Sequence, residues 1–453
     1  MMTSINLKGS RTQPWSIGQR RQPARVELPF VFPLLVVLAI LLAETPVAGE
    51  GFRNPPPGSF NLGRAGGRIA QIDDSSAVQQ NPANLVDIEK PELQLTPSVV
   101  YMHAEFQSAG GQSAETIHPW KLLPNFFASA PLLDGQAAVG LGLTVPYGLS
   151  VEWDQNSSAF ARPTGVLRYQ APYFAELQTL NANPSFAYKI CDFLQVGAGF
   201  DAMWSQVTLK QFYPWLIFPG SAGTEPDGIA NAHGTGWAFG GNVGLTFNIT
   251  DRQRIAVTYR SPLTVHYSGD FEINHITPTA AALGATGRTD FSTKVDFPTI
   301  VAVGYGIQVS DCVRIEANGE WVQFSRFQSL DLSVGRNAFL FPSGTKFVQD
   351  WNDTFTAGIG ADWKISPNWT LRGGYQYYET PVPDSTFSPT IPDANQNVLT
   401  VGVEYKYKHH AFEAAYGLDF YEDRNITTDQ NPAFNGKYTF NVHLLSFAYR
   451  YSF

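Results

Sequence analysis

The chain has 453 residues and a formal net charge of −9, with only 15% charged but 13% aromatic residues, as 32 Phe, 19 Tyr and 10 Trp. No basic stripe is present to neutralise phosphates, which excludes nucleic acid as a partner. No mature run approaches the ~18 continuous apolar residues of a helical membrane span.

Read in chain order, Arg11, Arg20, Arg21 and Arg25 precede the apolar run 30–43, and modest side chains follow at Val47, Ala48 and Gly49. This pattern predicts an export signal over residues 1–48. Residues 49–91 are rich in Pro, Gly and Asn and lack strand periodicity. From 92 to 453, amphipathic runs are joined alternately by short turns and long loops. The short joints are 132–135, 191–192, 250–253, 310–312, 366–368 and 408–410, and the long ones lie near 107–118, 150–177, 212–233, 272–290, 332–350, 379–396 and 424–436. About fourteen strands result, an even number with both chain ends on the short-turn side, which describes an outer-membrane barrel. The expected fold is all-β: a 14-stranded antiparallel transmembrane β-barrel over 92–453, with 49–91 as an N-terminal hatch plugging a lumen too wide for side chains to fill.

The last strand sets Leu445, Phe447, Tyr449, Tyr451 and Phe453 on one face and Leu444, Ser446, Ala448, Arg450 and Ser452 on the other. Similar alternation opposes Ile315 and Trp321 to Arg314, Glu316 and Glu320, and Phe412, Tyr416 and Phe420 to Glu413 and Asp419. A charge facing lipid at mid-membrane costs about 2–4 kcal/mol for Arg or Lys, so the charged faces are assigned to the lumen, where they are expected to pair. Cys191 and Cys312 fall at turns four strands apart, beyond disulfide reach. The Gly pairs 140/142, 197/199 and 358/360 sit within strands, where they relieve crowding.

Several motifs then occur in order: Leu62-Gly63-Arg64-Ala65-Gly66-Gly67, Asp73-Asp74, Asn81-Pro82-Ala83-Asn84, Val145-Pro146-Tyr147-Gly148-Leu149, Thr258-Tyr259-Arg260-Ser261 and Asn368-Trp369-Thr370-Leu371-Arg372. Together they resemble the FadL/TodX family of outer-membrane long-chain fatty acid and hydrocarbon transporters. The resemblance covers essentially the whole mature chain. It implies a Gram-negative outer-membrane location, a monomer in contact with outer-membrane lipid, a hydrophobic small-molecule ligand, loop capture, hatch gating and lateral release at a kinked third strand, with no cofactor, metal or enzymatic activity.

Each implied part has a counterpart in the residues. The run Phe212, Tyr213, Pro214, Trp215, Leu216, Ile217, Phe218 is expected to form a ligand-capture groove, since exposed loops rarely carry such a patch unless it is covered or used. Residues 278–285 are expected to add a short helix against it. Pro146 cannot donate to the ladder, and with Gly148 it predicts a lateral gate. Asp73, Asp74, Asn81 and Asn84, around Pro82 and Ala83, are expected to hold the hatch's shape by bonding backbone groups. Where fatty acid carriers of the family have a basic residue near the top of the fifth strand, this chain has Gln211 beside Lys210, the candidate carboxylate contacts. The reading is passive transport of hydrophobic compounds, with long-chain fatty acids first. Aromatic or alkane hydrocarbons, and a structural or adhesin barrel, stand as alternatives. No His-Glu-x-x-His or Gly-x-Ser-x-Gly motif occurs, so no enzyme is expected.

Overall fold

The computed structural model describes residues 50–218, 220–335 and 345–453, together with the backbone but not the side chains of Ile217 and Thr345. The predicted export signal, 1–48, lies outside the described residues. Fourteen strands follow one another: β1 (Glu92–Leu95 and Ser98–Ser108), β2 (Ser113–Glu115, Trp120–Leu123 and Phe126–Leu132), β3 (Ala137–Thr144 and Gly148–Glu152), β4 (Phe174–Cys191), β5 (Leu194–Tyr213), β6 (Gly228–Thr250), β7 (Gln253–Arg260 and Leu263–Ile273), β8 (Arg288–Phe297 and Ile300–Ser310), β9 (Val313–Val322 and Ser329–Val334), β10 (Thr345–Val348 and Thr354–Lys364), β11 (Trp369–Tyr378), β12 (Gln396–Tyr407), β13 (His410–Tyr421 and Arg424–Ile426) and β14 (Gly436–Ser452). Each is antiparallel to its neighbours, and β14 returns to β1 through Leu95↔Tyr449 and Val99↔Leu445. The sheet is therefore a closed barrel, and closure removes the free edges.

The two-residue period decides which side each residue takes. Phe412, Phe420, Phe447 and Phe453 are exposed, while Glu316, Glu320, Glu413 and Arg450 are buried. Exposed Phe193, Trp363, Trp369 and Tyr407 lie near the short turns, as expected of an interfacial aromatic girdle. Cys191 and Cys312 are free and exposed at that same end.

The loops are shorter than the apolar pattern indicates. β4, β5 and β6 run 18, 20 and 23 residues, about twice the 9–11 that cross a bilayer. The same applies to the predicted loop 107–118, where Glu105, Phe106 and Gln107 pair with Glu115, Ala114 and Ser113. Beyond the membrane the backbone ladder continues with polar side chains, so apolar alternation understates strand length.

Segment 50–91 carries two short helices, α1 (Ser59–Gly63) and α2 (Ala77–Gln80), and a 3-10 turn over Pro82–Asp87. It is buried among inward-facing wall residues, and wall glycines set the approach. A Cβ on Gly358 would lie 2.7 Å from Gly66 Cα, and one on Gly197 would lie 2.4 Å from the Pro82 carbonyl carbon. Among the strand Gly pairs, at least these two therefore relieve crowding as expected.

Charges fix the same contact. Arg64 pairs with Glu316 (3.3 Å) and Asp362 (3.1 Å), Arg68 pairs with Glu320, and Glu316 also accepts the backbone N–H groups of Ile69, Ala70 and Gln71 at 2.6–2.9 Å. A second group joins Arg372 to Glu413 (3.3 Å) and Arg450 to Glu404 (3.1 Å). Buried pairs of this kind are costly to break singly, at about 3–5 kcal/mol. At the closing seam, the Ser446 hydroxyl bonds both Ser59 of α1 (3.0 Å) and Ser98 of β1 (2.9 Å).

The largest apolar core lies toward the long loops and includes Phe52, Tyr147, Trp153, Trp215, Phe297, Phe324 and Trp351. Phe52 sits among four of these rings, stacked on Trp351 at 5.0 Å and edge-on to Phe297 at 5.3 Å.

Candidate functional site: a wall break and an apolar cleft

β3 is interrupted at Val145-Pro146-Tyr147. Below the break, β2 and β3 pair from Leu132↔Ala137 to Phe126↔Leu143. The next backbone link among the described residues is the bridge Thr116↔Trp153, with Ile117 N–H donating to Glu152 at 2.8 Å. Between these points Trp120–Leu123 pairs with β1, as the rest of β2 does, but not with β3, and the two strands meet through side chains such as Lys121 to Ser150 (2.9 Å).

The vacated positions are taken from inside. Asn54 N–H donates to Pro146 O (3.1 Å), Gly148 N–H donates to Phe52 O (2.8 Å), and the Asn54 amide donates to Val145 O (2.8 Å). Residues 52–54 thus act as a short substitute strand against the kink. Sequence reasoning missed these residues, because nothing in their spacing signals a partner about ninety positions away.

An apolar cleft opens beneath the long loops. Leu209, Phe271, Phe327, Leu330, Leu332 and Ile391 line it, with neutral polar groups including Gln170, Gln211, Gln349 and Thr390, and no charged side chain among the described residues that line it.

The aromatic run expected to form the groove lies apart from this cleft. Trp215 is fully buried, and its indole N–H donates to Asn274 O at 2.9 Å. Tyr213 and Phe218 pack on it at 4.6 and 5.4 Å, and Phe212 lies between Tyr173 (4.9 Å) and the Arg168 guanidinium (3.9 Å). Leu216 is half-buried, and the side chain of Ile217 is outside the described residues. None of the described side chains of the run lines the cleft; they cover one another. The expected short helix does form, as α3 (Pro278–Ala282), capped by the Thr277 hydroxyl.

The two candidate carboxylate contacts face different ways. Gln211 faces the cleft and donates to Tyr169 O at 2.9 Å, whereas Lys210 points to the other face of β5 with its ammonium 4.8 Å above the Phe174 ring. Adjacent strand residues cannot share a face.

The asparagines of the Asn81-Pro82-Ala83-Asn84 motif are brought together. Asn81 Oδ1 accepts from Ala83 N–H (3.1 Å) and its amide donates to Ile69 O (2.8 Å), while the Asn84 amide donates to Ala70 O (3.0 Å). Both asparagines also meet the wall through Thr246. Asp74 accepts from Ser76 N–H (3.0 Å), whereas Asp73 departs from the expected backbone role and pairs with Arg314 of β9 at 2.8 Å.

One loop acid near the substitute strand has an altered affinity for protons. Burial raises the Asp393 carboxyl to about 6, against the lowering effects of the Thr380 hydroxyl and Gly51 N–H.

The family model described as outer membrane protein transport protein (OMPP1/FadL/TodX) matches residues 40–453. A long-chain fatty acid transport protein of Shigella flexneri is 25% identical over 433 residues, covering 88% of this chain and 93% of that protein. A FadL homologue from Pseudomonas aeruginosa superposes with TM-score 0.75 at 21% identity, over 89% of this chain and 100% of that one. The toluene transporter TodX of P. putida gives 0.70 at 19% identity, over 88% and 99%. With this match across the barrel and the segment that precedes it, the chain belongs to the OMPP1/FadL/TodX family of outer-membrane transport proteins, which are channels and not enzymes.

Proposed function

We propose that this protein carries long-chain fatty acids passively across the outer membrane, taking them in at the apolar cleft and releasing them sideways at the β3 break. The observation that carries the reading is the cleft itself, an apolar surface at the long-loop end. Burial there gains about 0.8 kcal/mol per methylene, which favours long chains over short ones. Segment 49–91 acts as the plug, held by Arg64, Arg68 and the Glu316 cradle, and must shift for passage. Pro146 and Gly148 form the lateral exit into lipid, and the protein works as a monomer. The fatty acid assignment draws on relatives such as the Shigella flexneri fatty acid transport protein.

A second reading, neutral hydrocarbons, is favoured by the uncharged lining of the cleft, which offers no fixed cation to a carboxylate. Growth on oleate of a Gram-negative strain lacking its own fatty acid transporter, with this protein folded in its outer membrane, decides between them. Growth is the expected result. No growth despite a folded, heat-modifiable barrel would overturn the fatty acid assignment in favour of neutral hydrocarbons.

A further inference from the structure

We propose that His103, Glu105 and Glu115 form a surface site for a divalent transition metal ion of the Zn2+ type, on the outer rim of the β1–β2 hairpin. His103 and Glu105 lie two apart on β1 and so share a face, and Glu115 of β2 is the direct cross-strand partner of Glu105. His103 Nε2 lies 3.6 Å from Glu105 and 3.7 Å from Glu115, and one ligand atom from each of the three falls within 4.8 Å of the others. In a tetrahedral zinc site with bonds near 2.1 Å, neighbouring ligand atoms are about 3.4 Å apart. The two histidine separations are already close to that value, and the exposed glutamates can close the remainder by side-chain rotation.

Two further observations point to a cation. The His103 Nδ1 lies 3.1 Å from the backbone carbonyl of Thr116. A carbonyl only accepts, so this nitrogen carries a hydrogen, and in the neutral ring the Nε2 lone pair faces the carboxylates, as in metal-ligating histidines oriented by an outer hydrogen bond. In addition, like charges directly opposite in a ladder are destabilising. Lys437 lines the same depression but is engaged with Asp423 at 2.9 Å, and Asp154 adds a third acid there. His409 and His410 are adjacent in sequence, yet their Nδ1 atoms bond Ser452 O and the Tyr449 hydroxyl, each at 2.8 Å, and no group of three ligands forms around them among the described residues.

An imidazole with two carboxylates suits Zn2+ and its neighbours better than Ca2+ or Mg2+, which take oxygen alone. A bound ion would staple β1 to β2 beside the segment that spans the wall break, where Asp154 N–H bonds Glu115 O at 2.9 Å.

The test is calorimetric titration of Zn2+ into the chelator-stripped full-length barrel in detergent at neutral pH, with folding checked by heat-modifiable migration. One equivalent should bind, weakened at least roughly tenfold by His103→Ala and by Glu115→Gln, and unaffected by His409→Ala. The second variant keeps the hairpin's size and hydrogen bonding should the first perturb it. No saturable binding by the unaltered protein, or binding that survives both changes, would overturn the site.

Discussion

Gly148 donates its backbone N–H to the carbonyl oxygen of Phe52 at 2.8 Å, so a strand of the barrel wall completes its hydrogen bonding on a residue from inside the barrel. The wall break and the N-terminal segment are therefore one structural unit. Replacing Pro146 by Val supplies a backbone donor at the kink and lets β3 run straight. The expected outcome is a severalfold fall in labelled oleate uptake with an unchanged amount of folded barrel. Uptake equal to that of the unaltered protein would count against the lateral route.

Glu316 neutralises Arg64 and accepts three successive backbone N–H groups. Glu316→Ala should weaken docking of residues 64–71 by about 3–5 kcal/mol, because it leaves a buried guanidinium short of one partner and strands three donors. Single-channel recordings in planar bilayers should then show openings that the unaltered protein lacks.

Gly66 is pressed against the wall, and a Cβ there would lie 2.0 Å from Ile359 N. Both sides of that contact are backbone, so neither can rotate away. Gly66→Ala is expected to unseat the segment and admit large polar antibiotics that the outer membrane normally excludes, read as a lowered inhibitory concentration. Gly111→Ala meets no atom within 4 Å, although its positive φ adds mild strain, and serves as the contrast.

The cleft and the aromatic run should respond differently. Leu332→Asp places a charge in an apolar lining and should lower ligand affinity at least tenfold. Trp215→Ala removes a fully buried indole, at a cost of about 3–5 kcal/mol, and should chiefly lower the temperature at which the loops lose protease resistance. Ligand titration by fluorescence and limited proteolysis separate the two effects.

Asp393 has its folded-state pKa raised to about 6 by burial, so the protonated form is the one favoured on folding. Its contribution is fully present below the unfolded value near 4 and is lost as pH rises through 6. The nearby Arg424 guanidinium opposes this shift without cancelling it. Urea midpoints should fall between pH 4 and 7 by more in the unaltered protein than in Asp393→Asn.

Much of this was readable from the chain before its coordinates. The alternation around Phe453, the inward charges of β9 and β13 and the wall glycines that face the N-terminal segment follow from a two-residue period and from what lipid excludes. What the chain alone did not reveal shares one cause, dependence on register between distant segments. Lys210 and Gln211 differ by one position, and one position exchanges wall faces. Trp215 bonds Asn274, far along the chain in another loop. The group at His103, Glu105 and Glu115 exists only because the hairpin continues where polar residues indicated a loop, so the pairing that creates it was hidden.

The shared hydroxyl contact of Ser446 with Ser59 and Ser98 has a bearing on biogenesis. Ser446 belongs to the last strand to be synthesised, and it meets both the first strand and the helix that precedes it. The native contacts of the final seam are thus complete only when the N-terminal segment is in place. A sheet that closed empty would keep its β14–β1 ladder but leave the Ser446 hydroxyl without its Ser59 partner.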